Sequence, residues 1–99
     1  PVQATVIPVR EDFSAYGKEV VDALVQGGIR ADMDARSETL NKRIRQAEVN
    51  KVPYILVVGE RELTSKQVSV RKRREGDKGS MALDAFIEQV GREIMDRAQ

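Results

Sequence analysis

Apolar residues return at three- and four-residue intervals over three stretches of the chain and crowd together over shorter ones. That change of period divides the chain into helices and strands. Phe13, Tyr16, Val20, Val21 and Leu24 mark a first amphipathic helix, opened by the acidic pair Glu11-Asp12 and closed by Gly27-Gly28. Leu40, Ile44 and Ala47 mark a second, with Ser37 as its expected N-cap, Glu38 in its first turn, and Lys42, Arg43 and Arg45 on its outer faces. Leu83, Phe86, Ile87, Val90 and Ile94 mark a third, with Arg92 and Arg97 toward its C-terminal end. Of the strands, Val2–Val9 is rich in β-branched residues and runs out at a proline. Ile29–Asp34 alternates apolar and charged residues, which predicts one wet face and a place at the sheet edge. Tyr54–Val58 is apolar throughout, which predicts a central strand covered on both faces. Arg61-Glu62-Leu63 and Gln67–Arg73 flank Thr64-Ser65-Lys66 and predict a hairpin, followed by a loop over Glu75–Gly79.

Strands alternating with helices, then a hairpin, predict an α/β fold. The expected architecture is a three-layer α/β/α arrangement with a five-stranded mixed sheet, an antiparallel hairpin strand and three helices. The 99 residues show no repeat, low-complexity segment or internal linker, so residues 1–99 read as a single domain. The chain starts at Pro1 rather than Met, and the expectation is a piece excised from a longer protein.

Composition removes several kinds of chemistry. There is no Cys and no His, so disulfides, thiol catalysis and imidazole bases are excluded, and zinc has no thiolate or imidazole ligand. The missing thiols fit a reducing, cytoplasmic setting. No glycine pattern resembles a phosphate-cradling loop. Asp32 and Asp34 share a strand face and could meet Mg²⁺, but a solvated strand face explains them as well. No catalytic residue and no metal site is assigned. The longest apolar run, Ile55–Val58 with Tyr54 before it, is far too short to span a bilayer, so no membrane partner is expected. Net charge is only +1, which leaves any nucleic-acid argument to local charge.

Local charge concentrates in Arg71-Lys72-Arg73-Arg74. With the turn centred near Ser65-Lys66, Glu62 is expected across from Ser69 or Arg71 on one face of the hairpin. Two readings follow. One is a cross-strand ion pair worth at most about 1 kcal/mol. The other is base recognition, in which an arginine forks onto guanine O6 and N7 while a carboxylate accepts from the Watson–Crick edge of an unpaired base. Lys72, Arg73 and Arg74 would then meet phosphates, adding affinity without sequence choice. Lys42, Arg43, Arg45 and Lys51 are open to the same two interpretations, a solvated helix surface or phosphate contact. Arg36-Ser37 lies at a strand-to-helix junction, where open α/β sheets gather ligands. Phe13, Tyr16 and Tyr54 are expected in the core, and with aromatics at 4% no base-stacking sheet is supported.

Three stretches, GIRADMDARSETLNKRIRQAEVNKVPYILVVGERE, VSVRKRREGDKGSM and FIEQVGREI, resemble the C-terminal anticodon-binding domain of class II aminoacyl-tRNA synthetases, nearest the threonyl branch. The most specific tokens are Asp34-x-Arg36-x-Glu38, Val52-Pro53-Tyr54 with Val57-Val58-Gly59-x-x-Glu62, and Val68-x-Val70-Arg71-x-Arg73. The resemblance implies binding of the tRNA(Thr) anticodon loop. Glu62 and Arg71 would help read the bases, and Ser37, Arg73, Lys72, Lys51 and Arg36 would complete the RNA contacts. Ser37 stands where relatives often carry Asn, and Lys42 where they often carry an aromatic. The resemblance further implies a parent ligase that uses ATP, Mg and Zn in other domains, is homodimeric, and contacts this module through its catalytic domain. Other readings are a freestanding accessory protein that binds RNA or protein without ligase activity, the anticodon domain of a prolyl, histidyl or glycyl enzyme, and a small flavodoxin-like nucleotide-binding domain.

Overall fold

Strands rich in β-branched residues and apolar on both faces must be covered on both faces, and the two that fit this description, β1 (Ala4–Pro8) and β3 (Tyr54–Val58), lie side by side inside the sheet. The computed structural model describes residues 1–98, with side chains through residue 97. Around the two inner strands come a 3₁₀ turn (Glu11–Phe13), α1 (Ser14–Gln26), β2 (Ala31–Met33), α2 (Leu40–Val49), α3 (Glu60–Ser65), β4 (Gln67–Lys72), β5 (Gly76–Ala82) and α4 (Leu83–Ala98). The strand order is β2-β1-β3-β4-β5. β2, β1 and β3 run parallel, and β4 and β5 are antiparallel additions. The five-stranded mixed sheet, the edge position of β2 and the central position of Tyr54–Val58 match the reading of the sequence.

The two faces are covered unequally. Tyr16, Val20 and Leu24 of α1 and Phe86 and Val90 of α4 pack on Ala4, Val6, Leu56, Val58, Val68 and Val70. On the opposite face α2 contributes Ala47, which packs with Ile7, Val52 and Ile55, with the partly buried Leu40, Ile44, Val2 and Val57 around them. Among the described residues this second cluster draws its strand side chains from β1 and β3 and takes none from β4 or β5. Phe13, Tyr16 and Tyr54 are buried, as expected. The Tyr54 ring meets Phe86 edge-on at 5.3 Å, and its hydroxyl donates to Glu93 at 2.7 Å, which docks α4 onto β3. Burial, followed by the Glu93 carboxylate, pushes the Tyr54 phenol well above its ordinary range. Among the described residues no helix is long and apolar enough to cross a membrane.

The hairpin differs from its expected form. Residues 61–63 belong to α3 rather than a strand, so the described residues form four α-helices instead of three. Gly59 is extended, its N–H donates to the Glu62 carboxylate at 2.7 Å, and Leu63 N–H returns to Gly59 O at 3.0 Å, which closes the first helical turn. The true partner of β4 is β5, part of which reads as a loop. Residues 76–82 are half-buried or exposed throughout, and Gly76 and Gly79 take φ of 78° and 83°. An edge strand wet on both faces carries no apolar alternation, so its sequence resembles a loop.

Candidate nucleic-acid interface

Parallel β1, β2 and β3 place their carboxyl ends on one side of the sheet, and the segment from β2 into α2 crosses that side. Its first side chain, Asp34, receives Arg36 in a fork, Nε to Oδ1 and Nη2 to Oδ2, both at 2.9 Å. The hydrogen bonds from Arg36 hold the Asp34 carboxyl below its ordinary range. Ser37 is exposed and does not cap α2. Thr39 does, its Oγ1 accepting from Lys42 N–H at 3.2 Å. The helix begins two residues later than Ser37 suggests, because Thr39 is extended and its hydroxyl takes the Lys42 N–H.

Arg43 departs furthest from expectation. It is not on the outer face of α2 but is only 5% exposed. Its Nη1 donates to Pro8 O at 2.7 Å and Asp34 O at 3.1 Å, and its Nε to Glu38 O at 3.1 Å. One guanidinium thus ties the carboxyl ends of β1 and β2 to the approach to α2. The sequence held a signal for this: position 43 lies three past Leu40 and four before Ala47, on the same side as the apolar stripe. Lys42 and Arg45 are exposed, with Lys42 Nζ 3.9 Å from Glu38.

The basic run splits by strand alternation. Arg71 pairs with Ile55 on β3 and Asp77 on β5, sharing the α2-side face with Ser69. Its Nε is buried without a hydrogen-bond partner. Lys72 points the other way, 5.7 Å from the Tyr54 ring and 3.4 Å from Glu75. Arg73 and Arg74 form the turn, Arg73 N–H donating to Pro53 O at 2.9 Å and Arg74 at φ 71°. Glu75 also meets Lys78 at 2.6 Å; Lys78 first, then Lys72, holds its carboxyl below the usual range. Asp32 accepts from Thr5 at 2.8 Å, so both aspartates of β2 and its exit already have partners.

Glu62 does not lie across from Ser69 or Arg71. Ser69 faces Val57 and Ser80, and Glu62 sits in α3 beyond the carboxyl end of β3. Among the described residues the two make no ion pair, so the cross-strand bridge is absent, and so is the side-by-side pair of reading groups. The candidate residues fall at two ends of the sheet. Arg36, Ser37 and Glu62 lie at the carboxyl ends of the parallel strands; Lys51, Lys72 and Arg73 lie beside the start of β3, with Arg71 next to them opposite Ile55. Lys51 has φ 62° and follows α2 in a reverse turn closed by Lys51 N–H to Glu48 O and Val52 N–H to Ala47 O. A cleft of about 750 Å³ along α2 has both Arg36 and Lys51 in its wall, and a second of about 800 Å³ holds Arg10, Arg36 and Ser37.

A family model described as an anticodon binding domain matches residues 3–93. A threonine–tRNA ligase of Thermus thermophilus is 53% identical over 97 residues, covering 98% of this chain and 15% of that relative. One from Chlorobium phaeobacteroides is 42% identical over 98 residues, covering 99% of this chain and again 15% of the relative. The chain therefore spans about 15% of the length of the curated relatives it matches. Among solved structures, the RNA binding domain of threonyl-tRNA synthetase from Cryptosporidium parvum has a TM-score of 0.84 at 32% identity, covering 90% of this chain and 22% of that one. Histidyl-tRNA synthetase from Nostoc has a TM-score of 0.86 at 19% identity, covering 95% of this chain and 23% of that one, a likeness of fold alone.

Proposed function

We propose that this chain, which belongs to the anticodon binding domain family, reads the unpaired anticodon bases of tRNA(Thr) as one module of a threonine–tRNA ligase. The observation that carries the reading is its identity with threonine–tRNA ligases over nearly the whole chain. Arg71 supplies the chemistry: on the half-buried face of β4 that it shares with Ser69, its Nε has no hydrogen-bond partner within the chain, and a docked base would bring acceptors to its guanidinium. The O6 and N7 of an unpaired guanine fit it in a fork. Glu62, separated from Arg71 by most of the length of β3, reads a different nucleotide, accepting from the Watson–Crick edge with the oxygen not used on Gly59. Lys72, Arg73, Lys51 and Arg36 meet phosphates, and Ser37 offers a hydroxyl.

The ligation chemistry belongs elsewhere in such an enzyme. The chain has neither Cys nor His, and Asp32 and Asp34 are held by Thr5 and Arg36, so these residues do not fit a zinc or magnesium site. The same reading implies linkage to an ATP-dependent catalytic domain, a homodimeric parent and a cytoplasmic location.

Arg71→Ala tests it. Affinity for a threonine anticodon stem-loop should fall by about 1–3 kcal/mol, and the preference over a loop with another middle base should vanish. A variant that keeps this preference and loses only thermal stability would reject the assignment.

A further inference from the structure

The Asp34–Arg36 pair joins residues two apart and ties no two elements together, so it adds little to the tertiary structure. What it does determine is the direction of the Arg36 guanidinium. The fork occupies Nε and one Nη2 hydrogen, and leaves the donors on Nη1 and the rest of Nη2 outside the pair. Asp34 is 16% exposed and Arg36 54% exposed, so the carboxylate works from beneath and the guanidinium presents from above. The base of the arrangement is itself fastened, because Arg43 grips the carbonyls of Asp34 and Glu38, on either side of Arg36. Arg36 stands where the two clefts meet.

From this geometry we infer that Asp34 is a positioning residue, which holds Arg36 in the orientation that meets an RNA phosphate without touching the RNA itself. The inference rests on the anticodon-binding reading. An unheld arginine gives up rotamer freedom when it binds, and one already forked onto a carboxylate has lost it on folding. The inference opposes simple electrostatics. A carboxylate close to a polyanion repels it, so by charge alone neutralising Asp34 would tighten binding. Positioning requires the reverse.

The experiment is a salt-controlled titration of a labelled threonine anticodon stem-loop with the chain as it stands, with Asp34→Asn, with Arg36→Ala and with both. Thermal unfolding of each variant sets the folded fraction. Asp34→Asn is expected to weaken binding about three- to fivefold in the Arg36 background and to cause no further loss in the Arg36→Ala background. Tighter or unchanged binding by Asp34→Asn overturns the inference. So does an equal loss in both backgrounds, because a merely structural aspartate would act without Arg36. Failure of the underlying reading has a different signature: the unmodified chain would not prefer the threonine loop over its middle-base variant.

Discussion

Arg36, Arg43 and Arg71 bring the same guanidinium into three surroundings. Arg43 meets backbone carbonyls and is buried by them, Arg36 meets a carboxylate at the surface, and the buried Nε of Arg71 meets nothing. The difference follows from what each strand end and helix face offers, because arginine always carries its charge and must find acceptors or water. Asp34 records this electrostatically. Its folded carboxyl titrates below the ordinary value of roughly 4. The stability it contributes is therefore fully present above that value and is lost as pH falls through the lower, folded one. Urea midpoints measured from pH 6 down to pH 2 should decline along an acid limb, and Asp34→Asn should flatten that limb. An unchanged pH profile in the variant would show that the fork does not contribute.

At the level of elements, α2 shows how caps decide boundaries. Its N-terminus belongs to Thr39, whose hydroxyl takes a backbone N–H that would otherwise be unpaired. Thr39→Ala should lower unfolding free energy by about 1 kcal/mol in a denaturant titration, whereas Ser37→Ala should leave it within about 0.5 kcal/mol. The reverse order would place the cap at Ser37. The C-terminus of α2 carries Lys51 in the left-handed conformation, where the corresponding position after α1 is Gly28 at φ 85°. A lysine there keeps a positive charge in the cleft wall at some backbone strain. The β4–β5 hairpin shows the opposite economy. Residues 76–82 bury little and are held mainly by the ladder, and the pairing is irregular between Val70 and Arg71.

Across the whole molecule, the unequal coverage of the sheet sets where RNA can lie. α1 and α4 close one face, while the apolar cluster under α2 reaches only the β1–β3 part of the other, leaving the half-buried Ser69 and Arg71 outside both clusters. Positive groups stand at both ends of β3, and its five residues span about 16 Å. At that separation single substitutions act independently. Arg36→Gln and Arg73→Gln should each lower the salt dependence of stem-loop binding by about 0.7 in log–log slope, and the double variant should lower it by the sum. A slope that responds to only one of the two would confine the RNA to one end of the sheet. Since the net charge is only +1, the effect depends on placement rather than on overall attraction.

Much of this was legible in the residues themselves. The apolar periods of α1, α2 and α4, the doubly covered strands β1 and β3, the wet edge strand β2 and the absence of His and Cys are local facts of composition and spacing, and tertiary packing did not override them. The tokens around Glu62 and Arg71 likewise belong to the sequence. Three things were decided only by the folded chain. Residues 61–63 became helix through the local turn in which the Glu62 carboxylate takes the Gly59 N–H, and only the placement of that turn beyond β3 separated Glu62 from Arg71. Residues 76–82 became a strand because β4 offered an open ladder, not because of their own pattern. Arg43 was buried because the carbonyl ends of β1 and β2 converge on its guanidinium. Each of these depends on hydrogen-bond partners distant in sequence or on backbone groups that every residue shares, and neither leaves a mark on side-chain periodicity.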